Sequence, residues 1–345
     1  MSANENEIER KVTQSDVARE AGVTRSMVSY VISGNTERSV APETRKKILE
    51  VIERLGYRPN KAAQVLQQGK EAYAHKHIGV VLCNAEVFRR PFYAEILAGI
   101  HTAAHENTYQ VRFIRFFEEL KNPVLFNELI HSEEIGGLIL VSTDQCLKTP
   151  EDYAVIEKIK QRISRIVCVE WKCDGLSSVL FDRQDTAKKA ADYLFNKGYD
   201  DIIYIGESDD RILGVQRSFF EHKKDITKLV AEPCFNMSGG YEVIKKINEN
   251  GSLPRAVVCG SDEVAIGVLR YLNKMQIAVP QKVAVISIDD IENSAYTNPP
   301  LTTMAVQKAG MGARAVELIV NNNAGKNENA LNIMLPTCIV ERESC

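Results

Sequence analysis

The chain has 345 residues, with 44% hydrophobic and 26% charged content and a formal net charge of −3. This composition is typical of an ordinary soluble protein of two or three domains. No apolar run approaches the roughly 18 residues of a membrane span, and the polar start MSANENEIER lacks the basic and apolar regions of a signal peptide, so we expect a cytoplasmic protein.

The charge is distributed unevenly along the chain. From Arg10 to Lys76 thirteen Lys and Arg residues stand against seven Asp and Glu residues, which gives +6 there and leaves −9 for the rest. Lys and Arg neutralise phosphates and release counterions, so a basic segment favours a polyanion as partner. Charge alone supports that interpretation only weakly.

After a disordered tail over residues 1–10, two short helices are predicted. Ser15 is a candidate N-cap for a helix over 16–21, Gly22 ends that helix, and Thr24 caps a second helix over 25–32. Their apolar residues fall on faces that can meet. Such a pair fits a helix-turn-helix, and it fits an ordinary helical hairpin equally well.

A third amphipathic helix is predicted over 42–55, which completes a small headpiece over 11–58. Four of its residues are expected to close the core: Ile48, Leu49, Ile52 and Leu55. Residues 59–76 then read as a short hinge helix, with Asn60 as N-cap and Gly69 at its end, followed by a linker. So short a helix is marginal in water and would need a binding partner to order, although a plain linker turn fits as well.

From residue 77 onward buried strands alternate with amphipathic helices. The predicted strands cover residues 77–83, 111–117, 135–141, 165–169, 178–181, 202–205, 256–259 and 283–288. The clearest predicted helices cover residues 93–106, 186–197, 241–250 and 264–275. This alternation predicts a doubly wound α/β core over 77–345, with ligand held at the carboxyl ends of the strands.

Enzyme motifs are missing from the sequence. It contains no GxGxxG and no GxxxxGK[ST], and its six histidines show no HExxH, metal spacing or nucleophile elbow. The eight cysteines are scattered, without a CxxC pair beside a matching Cys or His cluster. We therefore predict buried free thiols, no cofactor, no metal site and no enzymatic activity.

The stretch from Val12 to Gly69 resembles the DNA-binding headpiece and hinge of the LacI/GalR family of bacterial transcription regulators. The similarity rests on DVAREAGV, VSYVISG, ETRKKILEVIERLGYRPN and AAQVLQQG. It continues in order through PFYAEILAGI, GGLILVS, DRQDTAKKAADYLFNKGY, SDEVAIGVL, VISIDDI and NPPLTTM. The resemblance implies a helix-turn-helix headpiece followed by a two-lobed core of the periplasmic-binding-protein type.

The resemblance also assigns DNA contacts. The second helix would read bases in the major groove through Arg25, Ser26 and Tyr30, with Arg25 suited to guanine. Phosphate contact or capping is implied for Ser15, Thr24, Ser29 and Asn35. In the hinge, Leu66 matches a leucine that wedges a base step open in the minor groove, beside Ala63 and Gln64. Family members often carry Arg where Tyr30 and Gln64 stand and Thr where Met27 stands, so operator preference is expected to differ.

For the core, the resemblance implies an N-lobe over 77–174 and 304–330 and a C-lobe over 175–303 and 331–345. The matched effector-binding positions are Phe92, Tyr93, Glu170, Trp171, Asp182, Arg211, Phe235, Asp262 and Asp289. Ser261 replaces the Asn of the family's Asn-Asp pair. Packing is an alternative role for Trp171, and capping for Asp182 and Asp289. Arg89 and Arg90 favour a phosphorylated or acidic effector, or are merely solvated.

The implied function is a DNA-binding regulator, expected to be a repressor. It would bind a palindromic operator as a homodimer through the helices over 93–106 and 264–275, under control of a small carbohydrate or related metabolite. No membrane partner is expected. The alternative is a sugar-binding receptor on the same core fold, which the basic headpiece and the missing export signal disfavour.

Overall fold

A computed structural model describes residues 12–33, 40–55, 57, 74–225, 234–251, 253–324 and 329–345. The chain divides into two compact units, residues 1–76 and residues 77–345. Within the described parts of the chain, none of the helices has the length and apolarity that crossing a bilayer requires.

The first unit contains three helices: α1 (Gln14–Ala21), α2 (Arg25–Ser33) and α3 (Pro42–Leu55). Helix α1 begins with a capping box between Thr13 and Asp16, so the prediction that Ser15 is the N-cap is wrong by two residues. Gly22 ends α1 with φ 65°, a left-handed conformation that glycine adopts without steric cost. The Met27 amide donates to Thr24 Oγ1 at 3.3 Å, which confirms Thr24 as the cap of α2.

The three helices enclose a small apolar core. Its buried members are Val17, Ala18, Ala21, Val28, Val31, Ile48, Val51 and Tyr57. The prediction that Leu49 belongs to this core is wrong, because 50% of its surface is exposed. Ile48 and Val51 are three residues apart and share one face of α3, whereas Leu49 is turned about 100° away from Ile48.

The second unit contains two sheets. The strands are β1 (His77–Leu82), β2 (Gln110–Phe116), β3 (Gly137–Val141), β4 (Ile166–Val169), β5 (Ser177–Phe181), β6 (Ile202–Ile205), β7 (Ala256–Cys259), β8 (Ala284–Asp289), β9 (Thr302–Ala305), β10 (Asn332–Leu335) and β11 (Cys338–Val340). The first sheet has the order β10-β5-β4-β3-β1-β2 and the second β11-β9-β8-β7-β6. All pairs are parallel except β11 with β9, which confirms the doubly wound α/β class.

Helices cover the faces of both sheets. They are α4 (Ala85–Arg89), α5 (Pro91–Glu106), α6 (Pro123–Leu129), α7 (Pro150–Arg162), α8 (Arg183–Asn196), α9 (Asp210–Glu221), α10 (Met237–Glu249), α11 (Asp262–Lys274) and α12 (Lys308–Val320). Short 3-10 helices cover Phe117–Lys121, Thr143–Cys146 and Glu292–Tyr296. Helix α12 packs closely on α5, where a Cβ on Gly99 would collide with the Ala309 carbonyl. This contact attaches α12 to the lobe of the first sheet.

The predicted lobe boundary needs correction. Strand β5 was expected in the second lobe, but it pairs with β4 and β10 in the first sheet. The segment 331–345 was also assigned to the second lobe, yet it gives β10 to the first sheet and β11 to the second. The chain therefore crosses between the lobes three times: between β5 and α8, between β9 and α12, and between β10 and β11.

The expectation of eight free thiols is wrong for one pair of cysteines. Cys83 follows β1 and Cys146 ends the 3-10 helix after β3, and their sulfur atoms are bonded with a Cα–Cα distance of 5.6 Å. Since β1 and β3 are parallel neighbours, their carboxyl ends bring together two residues separated by 63 positions in the chain. The remaining six cysteines lie outside any disulfide.

Candidate DNA-binding and effector sites

Helix α2 presents a polar face away from the headpiece core. Val28 and Val31 are buried against α1 and α3, whereas Arg25 and Ser26 are exposed at the start of the helix. The Arg25 guanidinium donates to the Gln14 side chain at 3.3 Å, which positions it beside the beginning of α1. The N-terminal turn of α2 is therefore the most accessible part of the helix.

The other predicted DNA contacts fall into two groups. Ser29 and Tyr30 are partly exposed on α2, and Ser15 and Thr24 are exposed at the first turns of α1 and α2. Helix starts carry unpaired amide groups that attract phosphate. Four predicted contacts lie outside the described residues: Asn35, Ala63, Gln64 and Leu66.

In the second unit, the start of α5 faces the end of β3. The Tyr93 hydroxyl accepts from Ser142 Oγ at 3.2 Å and from Gln145 Nε2 at 3.3 Å. Phe92 is buried beside it, with ring centroids 6.4 Å from Phe181. Burial raises the pKa of Tyr93, so the phenol stays neutral and keeps its hydrogen.

A chain of alternating charges links the ends of β4, β5 and β6. Arg183 Nη2 lies 2.6 Å from Glu170 Oε2, and its Nη1 lies 3.9 Å from Asp209 Oδ2. The buried Arg211 guanidinium pairs with Asp209 and Glu207, each at 2.7 Å, and donates to the Gly260 carbonyl. The Glu170 carboxylate raises the pKa of Arg183, which stays charged. Because Glu170 belongs to the first lobe and Arg211 to the second, this ion-pair chain spans the lobes.

Three predicted effector residues line one cavity of about 350 Å³ at the carboxyl edge of the first sheet, namely Glu170, Trp171 and Asp182. Glu170 is only 5% exposed, and its Oε1 is buried with no hydrogen-bond partner among the described residues. Trp171 packs in the first-lobe core and donates Nε1–H to the Leu140 carbonyl at 3.0 Å. Asp182 caps α8 by accepting from the Asp185 amide at 2.8 Å. Trp171 thus has the packing role and Asp182 the capping role given as alternatives, and both residues also line the cavity.

Asp262 is placed differently from the prediction. It is 0% exposed, and its two oxygens accept from the hydroxyls of Ser287, Ser294 and Thr303 and from the Ile291 amide. Burial raises the pKa of this carboxyl, and the four donors oppose that rise. The network joins α11 to β8 and β9 and leaves neither oxygen for a ligand.

Asp289 ends β8 in a turn that the sequence did not reveal. It is buried with φ 128°, and burial together with the neighbouring Asp262 raises its pKa well above the ordinary value, against the pull of Arg211 and Arg90. Lys308 Nζ, itself 3% exposed, donates to the carbonyls of Asp289 and Asp290. The sequence offered no signal for this support, because the burial of Lys308 appears only in the assembled fold.

Arg90, the residue just before α5, joins the two lobes. Its Nε lies 2.6 Å from Glu263 Oε2 at the first turn of α11, and both side chains are largely buried. The expectation of a merely solvated Arg90 is therefore wrong, whereas Arg89 is exposed. Phe235 is about half-exposed and does not line the cavity described above.

These features define a class of protein. A helix-turn-helix unit and a two-sheet α/β unit with charged groups at its strand ends are the parts of a ligand-responsive DNA-binding regulator. Comparison with known proteins gives the same result. The ribose operon repressor of Haemophilus influenzae is 28% identical over 342 residues, which cover 96% of this chain and 98% of that protein.

Solved structures share the fold. The lac repressor dimer bound to operator and the anti-inducer ONPF matches with a TM-score of 0.72 at 22% identity, covering 97% of this chain and 99% of that one. The transcriptional regulator CelR in complex with cellobiose matches with a TM-score of 0.65 at 22% identity, covering 97% and 100%.

Two family models complete the identification. The one described as "Bacterial regulatory proteins, lacI family" matches residues 13–60, and the one described as "Periplasmic binding protein-like domain" matches residues 191–345. The chain belongs to the LacI/GalR family of bacterial transcription regulators.

Proposed function

We propose that this protein is a cytoplasmic transcription repressor that binds a palindromic operator as a homodimer and responds to a small neutral carbohydrate. The single observation that carries the proposal is the exposed polar start of α2, on a helix whose Val28 and Val31 are buried in the headpiece core. The repressor role follows the ribose operon repressor, and the carbohydrate follows the cellobiose complex of CelR. No enzymatic step is part of this function.

DNA recognition is assigned to α2 and the hinge. Arg25 would make a bidentate contact to guanine, and Ser26 and Tyr30 would contact neighbouring bases. The start of α1 would hold a phosphate through Ser15 and its neighbouring amides. Leu66 of the hinge would wedge a base step in the minor groove and so couple bending to specific binding.

The charges around the cleft favour a neutral effector over a phosphorylated one. The three guanidiniums of Arg90, Arg183 and Arg211 are each neutralised by a carboxylate of the protein itself. A phosphate would have to displace those carboxylates, which is costly in a buried site. In contrast, Glu170 Oε1 receives no hydrogen bond from the described parts of the chain, and a sugar hydroxyl is a donor of suitable strength.

Control of DNA binding would follow from linkage between the lobes. A ligand that binds one lobe arrangement more tightly shifts the protein toward it, and any operator affinity tied to that arrangement shifts equally. Arg90–Glu263 and the ion-pair chain from Glu170 to Arg211 join the lobes, so their geometry differs between arrangements. Coupling of about 1 to 3 kcal/mol would change operator affinity about 5-fold to 150-fold.

The test is selection of genomic fragments with the purified protein, followed by binding to the enriched DNA with neutral sugars and with the matching sugar phosphates. We expect a palindrome whose affinity changes with one neutral sugar. Glu170→Gln should lose that response and keep operator affinity, whereas Glu157→Gln, a control at an exposed site, should keep both. Salt-sensitive binding without an enriched site would contradict the proposal and favour a sugar receptor.

A further inference from the structure

The disulfide lies at the rim of the cleft. Cys83 follows β1 directly, and Cys146 ends the 3-10 helix Thr143–Cys146 that follows β3. Both strands end at the carboxyl edge of the first sheet, where parallel α/β sheets bind their ligands. The described pairing of β1 with β3 ends at Leu82 and Val141. The disulfide therefore ties together the two loops that follow these strands.

The 3-10 helix that ends at Cys146 carries two residues of the candidate effector site. Gln145 donates to the Tyr93 hydroxyl, and Asp144 lines the cavity beside Glu170. Both precede Cys146 by one or two residues, so their positions depend on where that sulfur is held. Cys83 is 2% exposed and fixed by the first-lobe core, which makes it the anchor and Cys146 the tethered end.

We propose that Cys83 and Cys146 form a reversible thiol–disulfide pair that fixes or releases the cleft rim, so that the regulator also responds to peroxides. The rim's effect on the effector rests on the proposed function, whereas the redox chemistry does not. Cytoplasmic thiols are normally kept reduced, so a bond formed there is a transient signal rather than a permanent crosslink.

The reaction balances with hydrogen peroxide as the oxidant. The thiolate of Cys146, a residue of intermediate exposure, attacks one peroxide oxygen and the O–O bond breaks. The hydroxide that leaves takes up the thiol's proton as water, and Cys146 becomes a sulfenic acid. Cys83 Sγ then attacks that sulfur and expels the second water as the S–S bond forms. Two thiols lose two protons and two electrons in total. Reduction takes two molecules of a small thiol such as glutathione. The first attacks Cys146, because Cys83 is buried, and releases the Cys83 thiol; the second attacks the mixed disulfide on Cys146, restores that thiol and leaves as glutathione disulfide.

Three of the six remaining cysteines illustrate how they differ from the pair. Burial raises the pKa of Cys168 and of Cys259 well above the ordinary value, which suppresses the reactive thiolate. Cys338 is exposed and lies outside any disulfide. It serves as a matched control, because its replacement removes one accessible thiol and leaves the pair intact.

The experiment uses the full-length protein without DNA or sugar. The reduced protein is treated with a slight excess of hydrogen peroxide, and its thiols are counted by alkylation in denaturant and mass spectrometry. We expect the eight thiols of the wild type to fall to six, with a peptide that links Cys83 to Cys146. Cys338→Ser should lose two of its seven thiols, and Cys146→Ser should form no internal bond. Millimolar reduced glutathione should restore all eight.

Hydrogen exchange tests the structural effect. The amides of residues 142–147 should exchange several-fold faster in the reduced wild type than in the oxidised one, and Cys146→Ser should exchange like the reduced form. The proposal is overturned if peroxide leaves eight thiols, if glutathione fails to reduce the bond, or if exchange is the same in both forms. None of these outcomes depends on operator or effector binding, so failure here leaves the proposed function standing.

Discussion

Replacing Asp262 by alanine separates two roles for this residue, structural anchor and effector ligand. Its oxygens accept four hydrogen bonds, including those from Ser294 Oγ and Thr303 Oγ1 at 2.6 Å and from the Ile291 amide at 2.8 Å. All of these donors surround a carboxylate that is 0% exposed. In Asp262→Ala they lose their acceptor without access to water, so the second lobe should lose stability.

The magnitude follows from the number of bonds. At about 1 kcal/mol net for each of the four, Asp262→Ala should lower the free energy of unfolding by about 4 kcal/mol. Urea unfolding of the full chain, followed by far-ultraviolet circular dichroism, measures this loss. Trp171 is the only tryptophan and lies in the first-lobe core, so its fluorescence shows whether that lobe unfolds at the same urea concentration.

Asp210→Ala is the matched control, since Asp210 is an exposed acid in the first turn of α9. Its replacement should change stability by less than about 0.5 kcal/mol. If Asp262→Ala loses no more than this control, the anchor role is refuted. A lost sugar response with unchanged stability would instead make Asp262 an effector ligand.

Three further predictions concern other parts of the protein. Arg25→Ala should relax the preference at one base pair by about 1 to 3 kcal/mol, and an unchanged operator in fragment selection would remove Arg25 from the base contacts. The raised pKa of Asp289 makes its contribution to stability complete below about pH 4 and lost as pH rises toward the folded value. Asp289→Asn should flatten that decline in urea unfolding across pH, and a slope equal to wild type would contradict it. Lys308→Met should cost at least about 2 kcal/mol, because the carbonyls of Asp289 and Asp290 lose a charged donor; a thermal unfolding midpoint equal to wild type would show that they do not need it.

The alternation of strands and helices was predictable because it depends on local periodicity. Strand β5 shows the limit of that information. A strand buried on both faces has the same apolar pattern in either lobe, so its partner is decided by long-range pairing that periodicity does not encode. The bond between Cys83 and Cys146 has the same origin, since only the adjacency of β1 and β3 brings the two residues together.

One of the wrong predictions could have been avoided from the sequence itself. Thr13 and Asp16 are spaced as in a capping box, and this spacing favours Thr13 over Ser15 as the cap of α1. The role of Asp262 offered no such signal. Its partners Ser287 and Thr303 belong to two different strands, and their convergence on one carboxylate appears only when the second sheet is assembled.

The segment from Asn332 to Val340 places one edge strand on each sheet, and Ser344 then accepts from the Val285 amide and donates to the Val285 carbonyl in the second lobe. During synthesis both sheets therefore need this one segment, and neither reaches its final width before the segment has left the ribosome. A frameshift or a premature stop codon just after Leu331 would remove β10 and β11 together and leave two unprotected sheet edges, each a template for aggregation. Cellular quality control would then treat the truncated product as a misfolded protein, and not as a folded regulator that has lost only its response to effector.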